Sequence, residues 1–368
     1  MKLYCEREAL LTDCQLASAA VASRDIKPIL RNLKAVAEGD KCTLMATDLE
    51  LGIRLEVRSP QVQKPGEAIL PAGRLVSILR ESTDEHLTIE ADGNRCVVTG
   101  AHNEFEMPGE DPGEFPDIPT FAEGKHHEIT AGALRTMIRR TVFAAAKEST
   151  RYAMTGVVWE LDPEHVKLVA TDSKRLALAT GPATAVGGHA TAGGQSHIVP
   201  SKAMTLLERN LHDDAEVIRV SLRANEVLFK TERATIYSRL VEGRFPPYKE
   251  IMPKKANARI PLAVTPFLTA IRQAAIMTDD ESKRVSFHFA SGKLTLEAQG
   301  AATGRSKVET DLEYTGTPID ISFDPQYLVD MLKIMDAGDP LTLDLIDGAK
   351  PALFRSGSEY QYLVMPLS

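Results

Sequence analysis

Apolar residues recur at helical spacing in several places along the chain, and each such place is followed by short alternating stretches. Leu134, Met137, Ile138, Thr141, Val142 and Ala145 share one face of a 3.6-residue period, with Arg135, Arg139, Arg140 and Lys147 largely off it. Leu10, Leu11, Cys14, Ala17 and Val21 form a similar stripe, with Arg7 and Arg24 at its ends. Further helices are predicted over residues 74–79, 202–207, 265–272 and 327–333. Thr265 before Pro266 and Asp324 before Pro325 read as N-caps followed by a proline in the first turn. Alternation over 215–222, 226–231 and 234–240 predicts an antiparallel meander. Residues 85–99, broken by Ala91-Asp92-Gly93-Asn94, predict its counterpart. A hairpin is predicted over 285–298 around Ser291-Gly292, and an apolar strand over 360–368.

These elements repeat. Leu44-Met45-Ala46-Thr47-Asp48-Leu49-Glu50-Leu51 returns as Leu168-Val169-Ala170-Thr171-Asp172-Ser173-Lys174-Arg175-Leu176, with Asp48 and Asp172 a domain's length apart. Ala68-Ile69-Leu70-Pro71-Ala72 and His197-Ile198-Val199-Pro200-Ser201 each precede a helix. Phe115-Pro116-Asp117 then matches Phe245-Pro246-Pro247. A fainter third copy follows. The chain therefore reads as α+β, with three similar domains over 1–122, 125–253 and 254–368, each of two helices and about eight short strands. The glycine-rich stretch 181–194 reads as a mobile loop.

Composition adds little except through charge and cysteine. A net charge of −8 argues against nucleic acid only if the charge is evenly spread, whereas basic residues gather on the predicted helices and acid in stretches such as 104–114. No apolar run is long enough to span a membrane, and the N-terminal residues lack the apolar core of a signal peptide. Cys5, Cys14, Cys42 and Cys96 form no CxxC pair, and Cys14 and Cys42, in apolar contexts, read as reduced packing residues of a cytoplasmic protein. Candidate chemistry is sparse. His126-His127 is the only close histidine pair, no metal-ligand spacing appears, and there is no nucleophile elbow, phosphate loop or dinucleotide fingerprint. Asp48 and Asp172 are read as turn residues receiving backbone N–H groups rather than as a catalytic pair.

The block Ser238-Arg239-Leu240-Val241-Glu242-Gly243-Arg244-Phe245-Pro246-Pro247-Tyr248 resembles the end of the middle domain in bacterial DNA polymerase III β subunits, the replicative sliding clamps. Lys27-Pro28-Ile29-Leu30, Ala170-Thr171-Asp172 and Val364-Met365-Pro366-Leu367 are similar to that family too, so the likeness runs over essentially the whole chain. The resemblance implies a head-to-tail homodimer of three-domain crescents, closed into a ring around duplex DNA and needing no cofactor. Arg24, Arg74, Arg80, Lys147, Arg151, Lys202, Arg209, Arg272 and Lys333 are the implied phosphate-facing residues, contacting DNA without reading sequence. It also implies a pocket between the second and third domains, walled by Met154, Thr171, Arg175, Leu176, Pro246, Ile251, Tyr327, Val364, Met365, Pro366 and Leu367. There the polymerase α subunit, the clamp-loader δ subunit, other polymerases and repair proteins would insert Gln-x-Leu-x-Phe motifs.

Three departures from the family pattern stand out. Glu250 takes the place of a basic residue, and the sequence stops at Ser368, which is expected to shorten the pocket edge. At the implied dimer contact, Glu104 and Glu106 stand where familiar members are basic, and Arg305 and Lys307 where they are acidic. Phe105, Met107, Ile276 and Met277 supply the apolar part of that contact. Two other readings stay open: a clamp paralogue with altered partners, and an enzyme on a repeated scaffold, which would need a metal or acid–base pair.

Overall fold

The computed structural model describes residues 1–22, 27–93, 95–147, 153–190, 196–279, 283–301 and 303–367. The first unit runs β1 (Lys2–Glu6), α1 (Arg7–Ser18), β2 (Asn32–Glu38), β3 (Lys41–Thr47), β4 (Leu51–Glu56), β5 (Gln61–Lys64), β6 (Gly66–Pro71), α2 (Ala72–Glu81), β7 (His86–Ala91), β8 (Arg95–Thr99) and β9 (Glu104–Pro108). The middle unit repeats that order: β10 (His126–Thr130), α3 (Ala131–Thr141), β11 (Gly156–Leu161), β12 (His165–Thr171), β13 (Arg175–Pro182), β14 (Thr184–Val186), β15 (His197–Pro200), α4 (Ser201–Arg209), β16 (Val217–Leu222), β17 (Glu226–Lys230) and β18 (Ala234–Arg239). After a short helix, α5 (Tyr248–Ile251), the third unit has β19 (Ala258–Leu262), α6 (Val264–Ala275), β20 (Val285–Ala290), β21 (Lys293–Gly300), β22 (Gly304–Asp311), β23 (Ile319–Phe323), α7 (Pro325–Leu332), β24 (Leu341–Leu345), β25 (Ala352–Ser356) and β26 (Tyr360–Val364). It follows the same script with one small strand fewer.

The helices form because one face is apolar and packs on the sheets. In α2, Ala72, Leu75 and Leu79 are buried; in α4, Ala203, Met204, Leu206 and Leu207 are. Trp159, 1% exposed on β11, donates its indole N–H to Met204 Sδ at 3.3 Å and so ties α4 to the sheet. Asp324 caps α7 as expected, accepting from Gln326 N–H at 2.9 Å with Pro325 in the first turn. Thr265 is no cap: α6 begins one residue earlier, after Ala263, and Thr265 lies inside its first turn.

The repeated turn is the same object in both copies. Thr47 and Thr171 donate to the carbonyls of Leu51 and Arg175, while Asp48 and Asp172 each accept two backbone N–H groups. That network holds Leu49 and Ser173 at φ of 76° and 79°. Elsewhere the sequence misled. Part of 181–194 is strand, with β14 pairing β10, because a three-residue edge strand rests on backbone pairing and is too short to show an apolar alternation. Residues 104–108 form a strand, as the implied dimer contact requires of Glu104 and Glu106.

Among the described residues, two of the four sheets run across units. A nine-stranded sheet joins middle and first units by antiparallel pairing of β18 with β4, and an eight-stranded sheet joins middle and third units by β13 with β26. The remaining two sheets lie within the first and third units, and β9 and β22 stand at their ends.

Candidate DNA-facing surface and partner site

The ninth residue of α2 is Arg80, that of α4 is Arg209, and the residue at the same place in the third unit, one past the end of α7, is Lys333. All three are exposed and form no ion pair with a described residue. Arg74 and Arg272 are exposed and unpaired in the same sense, as is Lys147. Lys202 differs. Its ammonium lies 2.6 Å from Asp48 Oδ2, bridging the first two units, so its charge is already partly neutralised. Arg24 and Arg151 lie outside the described residues.

At the joint between middle and third units the expected pocket residues do not all share one role. Arg175 lines the groove at this joint but is mostly buried, and its polar atoms are committed: its guanidinium bonds Asp172 Oδ2 at 3.0 Å, Asp330 Oδ2 at 2.7 Å and the Phe143 carbonyl at 2.9 Å. It also stacks on Phe143 and Tyr327, with 4.9 Å to the Tyr327 centroid. It is therefore a brace between units. The Thr171 hydroxyl is likewise committed to its turn rather than free for a ligand. Leu176 is 1% exposed and belongs to an apolar cluster with Phe245, Tyr248 and Leu363.

What remains accessible is Ile251, Met365 and, in part, Met154, Pro246 and Pro366; Leu367 instead donates its N–H to Ser322 O at 2.8 Å and lines a groove of the third unit with Arg284, Ser286 and His288. Val364 pairs with Arg175, and Met365 N–H donates to Lys174 O at 2.8 Å, so the last strand delivers Met365 beside the turn. Ile251 precedes Met252, which packs against that cluster, and Met365 lies two residues past Leu363, a member of it. Next to Met365, through Lys174, a groove of ≈ 570 Å³ is lined by Lys147, Asp172, Arg175, Asp324, Tyr327 and Asp330. The arrangement offers exposed apolar side chains next to a charged cleft, which suits a short apolar peptide with polar flanks.

The edge strands are the third feature. On β9, Glu104, Phe105 and Glu106 are exposed while Met107 is 3% exposed and belongs to the core. On β22, Arg305 and Lys307 are exposed, and nearby Ile276 is 70% exposed with Met277 half-buried.

Family models of the DNA polymerase III beta subunit match the chain throughout: the N-terminal domain over residues 1–119, the central domain over 128–247 and the C-terminal domain over 249–368. The chain belongs to the DNA polymerase III beta subunit family. Beta sliding clamps of Caulobacter vibrioides and Pseudomonas putida are 29% and 27% identical to it, each over the full length of both chains. Among solved structures, the Pseudomonas aeruginosa sliding clamp superposes with a TM-score of 0.91 at 26% identity, covering 100% of this chain and 99% of that one. The Bacillus subtilis clamp gives 0.91 at 25% identity with the same coverage. The protein is thus a DNA sliding clamp, a non-catalytic processivity subunit. No described helix is long and apolar enough to cross a membrane.

Sequence reading missed the residues that hold the clamp's units together. Asp13, fully buried on α1, accepts from Arg58 N–H at 2.9 Å and pairs with Arg233 of the middle unit at 2.8 Å. Arg140 on α3 pairs with Asp339 of the third unit at 2.9 Å. A carboxylate next to Cys14 on an apolar stripe was the available signal, since such a group must find a partner. His127 and His189 were missed as a pair: their Nδ1 atoms are 2.6 Å apart in a buried site. Each outer ring nitrogen also has a backbone partner: His127 Nε2 lies 2.8 Å from Asp162 O, and His189 Nε2 lies 3.0 Å from Leu222 O and 3.2 Å from Leu222 N. Burial lowers the pKa of both. Among the described residues no group of three or more potential ligands is placed to hold a metal.

Proposed function

We propose that two copies of this clamp close head to tail into a ring around duplex DNA in the cytoplasm. The observation that carries the reading is the pair of unit joints. In each, the fourth strand of one unit continues into the last strand of the next, β4 into β18 and β13 into β26. The same rule leaves β22 without its last strand and β9 without its fourth, and a second copy supplies both. Twelve long helices would then surround the DNA, with Arg80, Arg209 and Lys333 recurring at one position in each of six units. Arg74, Arg272 and Lys147 add to that field, which binds phosphates without reading bases and so permits sliding.

The accessible apolar side chains Ile251 and Met365, with Pro246 and Pro366, are proposed to receive Gln-x-Leu-x-Phe motifs of the replicative polymerase, the clamp loader and repair proteins. Arg175 braces the groove wall, and half-buried Tyr327 forms part of it. The test has two parts. Sedimentation should give twice the 40.2 kDa chain mass. Anisotropy should show a labelled Gln-x-Leu-x-Phe peptide binding the intact chain and losing affinity on Met365→Ala with Ile251→Ala. A monomer at all concentrations overturns the ring; unchanged peptide binding in the double variant overturns the site.

A further inference from the structure

We infer that the joint between two copies is selected by charge in a defined register, with Glu104 of one copy facing Lys307 of the other and Glu106 facing Arg305. The inference rests on the ring proposed above and adds the identity of the contacts.

The register comes from the two joints inside the chain, which are equivalent bond for bond. In the first, Ala234 pairs with Leu55 and Ser238 with Leu51. In the second, Tyr360 pairs with Ala179 and Val364 with Arg175. Each is flanked by the same two hydrogen bonds at 2.8 Å: Glu56 N–H to Arg233 O and Arg239 N–H to Glu50 O, then Thr180 N–H to Glu359 O and Met365 N–H to Lys174 O. Ala234 and Tyr360 are the first residues after their hairpin loops. Leu51 and Arg175 are the first after theirs, and the pairing joins each to the residue four places beyond the other.

On β9 the residue after the loop is Asn103, whose carbonyl accepts from Gly100 N–H as that of Ala234 accepts from Thr231 N–H. On β22 it is Gly304, paired with Gly300 across its loop. The same rule sets Met107 opposite Gly304, Glu106 opposite Arg305, Phe105 opposite Ser306 and Glu104 opposite Lys307. The burial pattern agrees independently. Ser306 and Val308 are the half-buried positions of β22, as Ile53 and Leu55 are buried on β4, whereas Arg305 and Lys307 point outward like Glu104 and Glu106.

Both acids thus meet both bases on one face of the completed sheet, where directly opposed unlike charges attract and like charges repel. Their partners within the chain are exposed and weak: Arg305 with Glu297 at 3.1 Å, Lys307 with Glu309 at 3.0 Å, and Glu106 with Arg95 at 3.5 Å. They exchange readily for contacts across the joint. A clamp chain with basic residues on its β9 equivalent would meet Arg305 and Lys307 with like charge, so the ring accepts copies of its own kind. Pro108 stands where Arg239 and Met365 donate a flanking N–H. The joint between copies therefore lacks one hydrogen bond that both internal joints have, and it is the one that opens first.

The test is a pair of charge reversals, E104K/E106R and R305E/K307E, studied by sedimentation at low salt. Each alone places like charges at both joints and should raise the dimer dissociation constant about tenfold or more. Mixed in equal amounts they form a ring in which both joints carry opposite charges, and the dissociation constant should return to the wild-type value. That recovery also shows that both variants are folded. If a reversal fails to fold, the milder E104Q/E106Q and R305Q/K307Q serve, each expected to abolish the salt dependence of dimerisation. A wild-type chain that never dimerises overturns the ring itself. A wild-type dimer whose variants dimerise equally well, or whose mixture gives no recovery, overturns the register and leaves the ring standing.

Discussion

Arg175→Ala tests whether the joint between middle and third units depends on one buried guanidinium. The side chain is 7% exposed and makes hydrogen bonds to two carboxylates and one carbonyl, with two aromatic rings against its faces. Hydrogen bonds to charged groups contribute about 1.5–3 kcal/mol each. The full sum is not lost, because Asp172 keeps its two backbone donors and Asp330, 26% exposed, keeps Gln326 and gains water. A loss of about 3 kcal/mol is therefore expected, with Phe143 and Tyr327 released to move. Arg175→Lys keeps the charge but cannot reach three acceptors in a fork, so it should recover less than half. Urea titration read by Trp159 suits the question, since this is the sole tryptophan and lies buried in the middle unit. The first transition should shift in both variants, and Gln-x-Leu-x-Phe binding should weaken with it. An unshifted midpoint in Arg175→Ala, or a lysine variant as stable as wild type, would refute the brace.

Three further outcomes follow from the same structure. Burial holds the imidazoles of His127, His189 and His197 below the usual histidine value of about 6.5. Below that pH the unfolded chain binds protons that the folded chain refuses, so stability should be full above about pH 6.5 and fall as pH drops, with a shallower slope in His189→Asn; a flat profile down to pH 5 contradicts this. Burial pushes the thiols of Cys5 and Cys96 up to about 11 and of Cys42 up to about 12, with Cys14 also raised, so the native clamp should resist a disulfide reagent at pH 8 and titrate four thiols once unfolded. Replacing Arg80, Arg209 and Lys333 together by alanine should weaken DNA binding without regard to sequence and reduce the salt slope by about one for each phosphate no longer neutralised; an unchanged slope removes them from the DNA face.

The repeat was legible because its turn is local. Thr47-Asp48 and Thr171-Asp172 close their own hydrogen bonds within five residues, so the same letters report the same geometry. Asp324-Pro325 and the Gly292 hairpin were legible for the same reason, Gly292 having φ of 74°. Continuity of the sheets across units was not, since β4 meets β18 and β13 meets β26 from distant parts of the chain, through backbone groups that every residue carries. Arg175 shows the limit of transfer by resemblance. Its position was right for the joint, but only the three-dimensional arrangement of Asp172, Asp330 and Phe143 reveals that it faces inward. Lys202 is similar: a basic helix residue by pattern, an ion pair to Asp48 in fact.

The most direct test of the ring is topological. A Glu104→Cys, Lys307→Cys protein, whose native thiols are buried, would be mixed with nicked circular or linear DNA at low salt, oxidised, and washed in about 1 M salt, where charge contacts are screened within a few ångströms. A closed ring stays on the circle once cross-linked, leaves linear DNA, and is released when the circle is cut. A cross-linked dimer that salt strips equally from both would contradict encirclement.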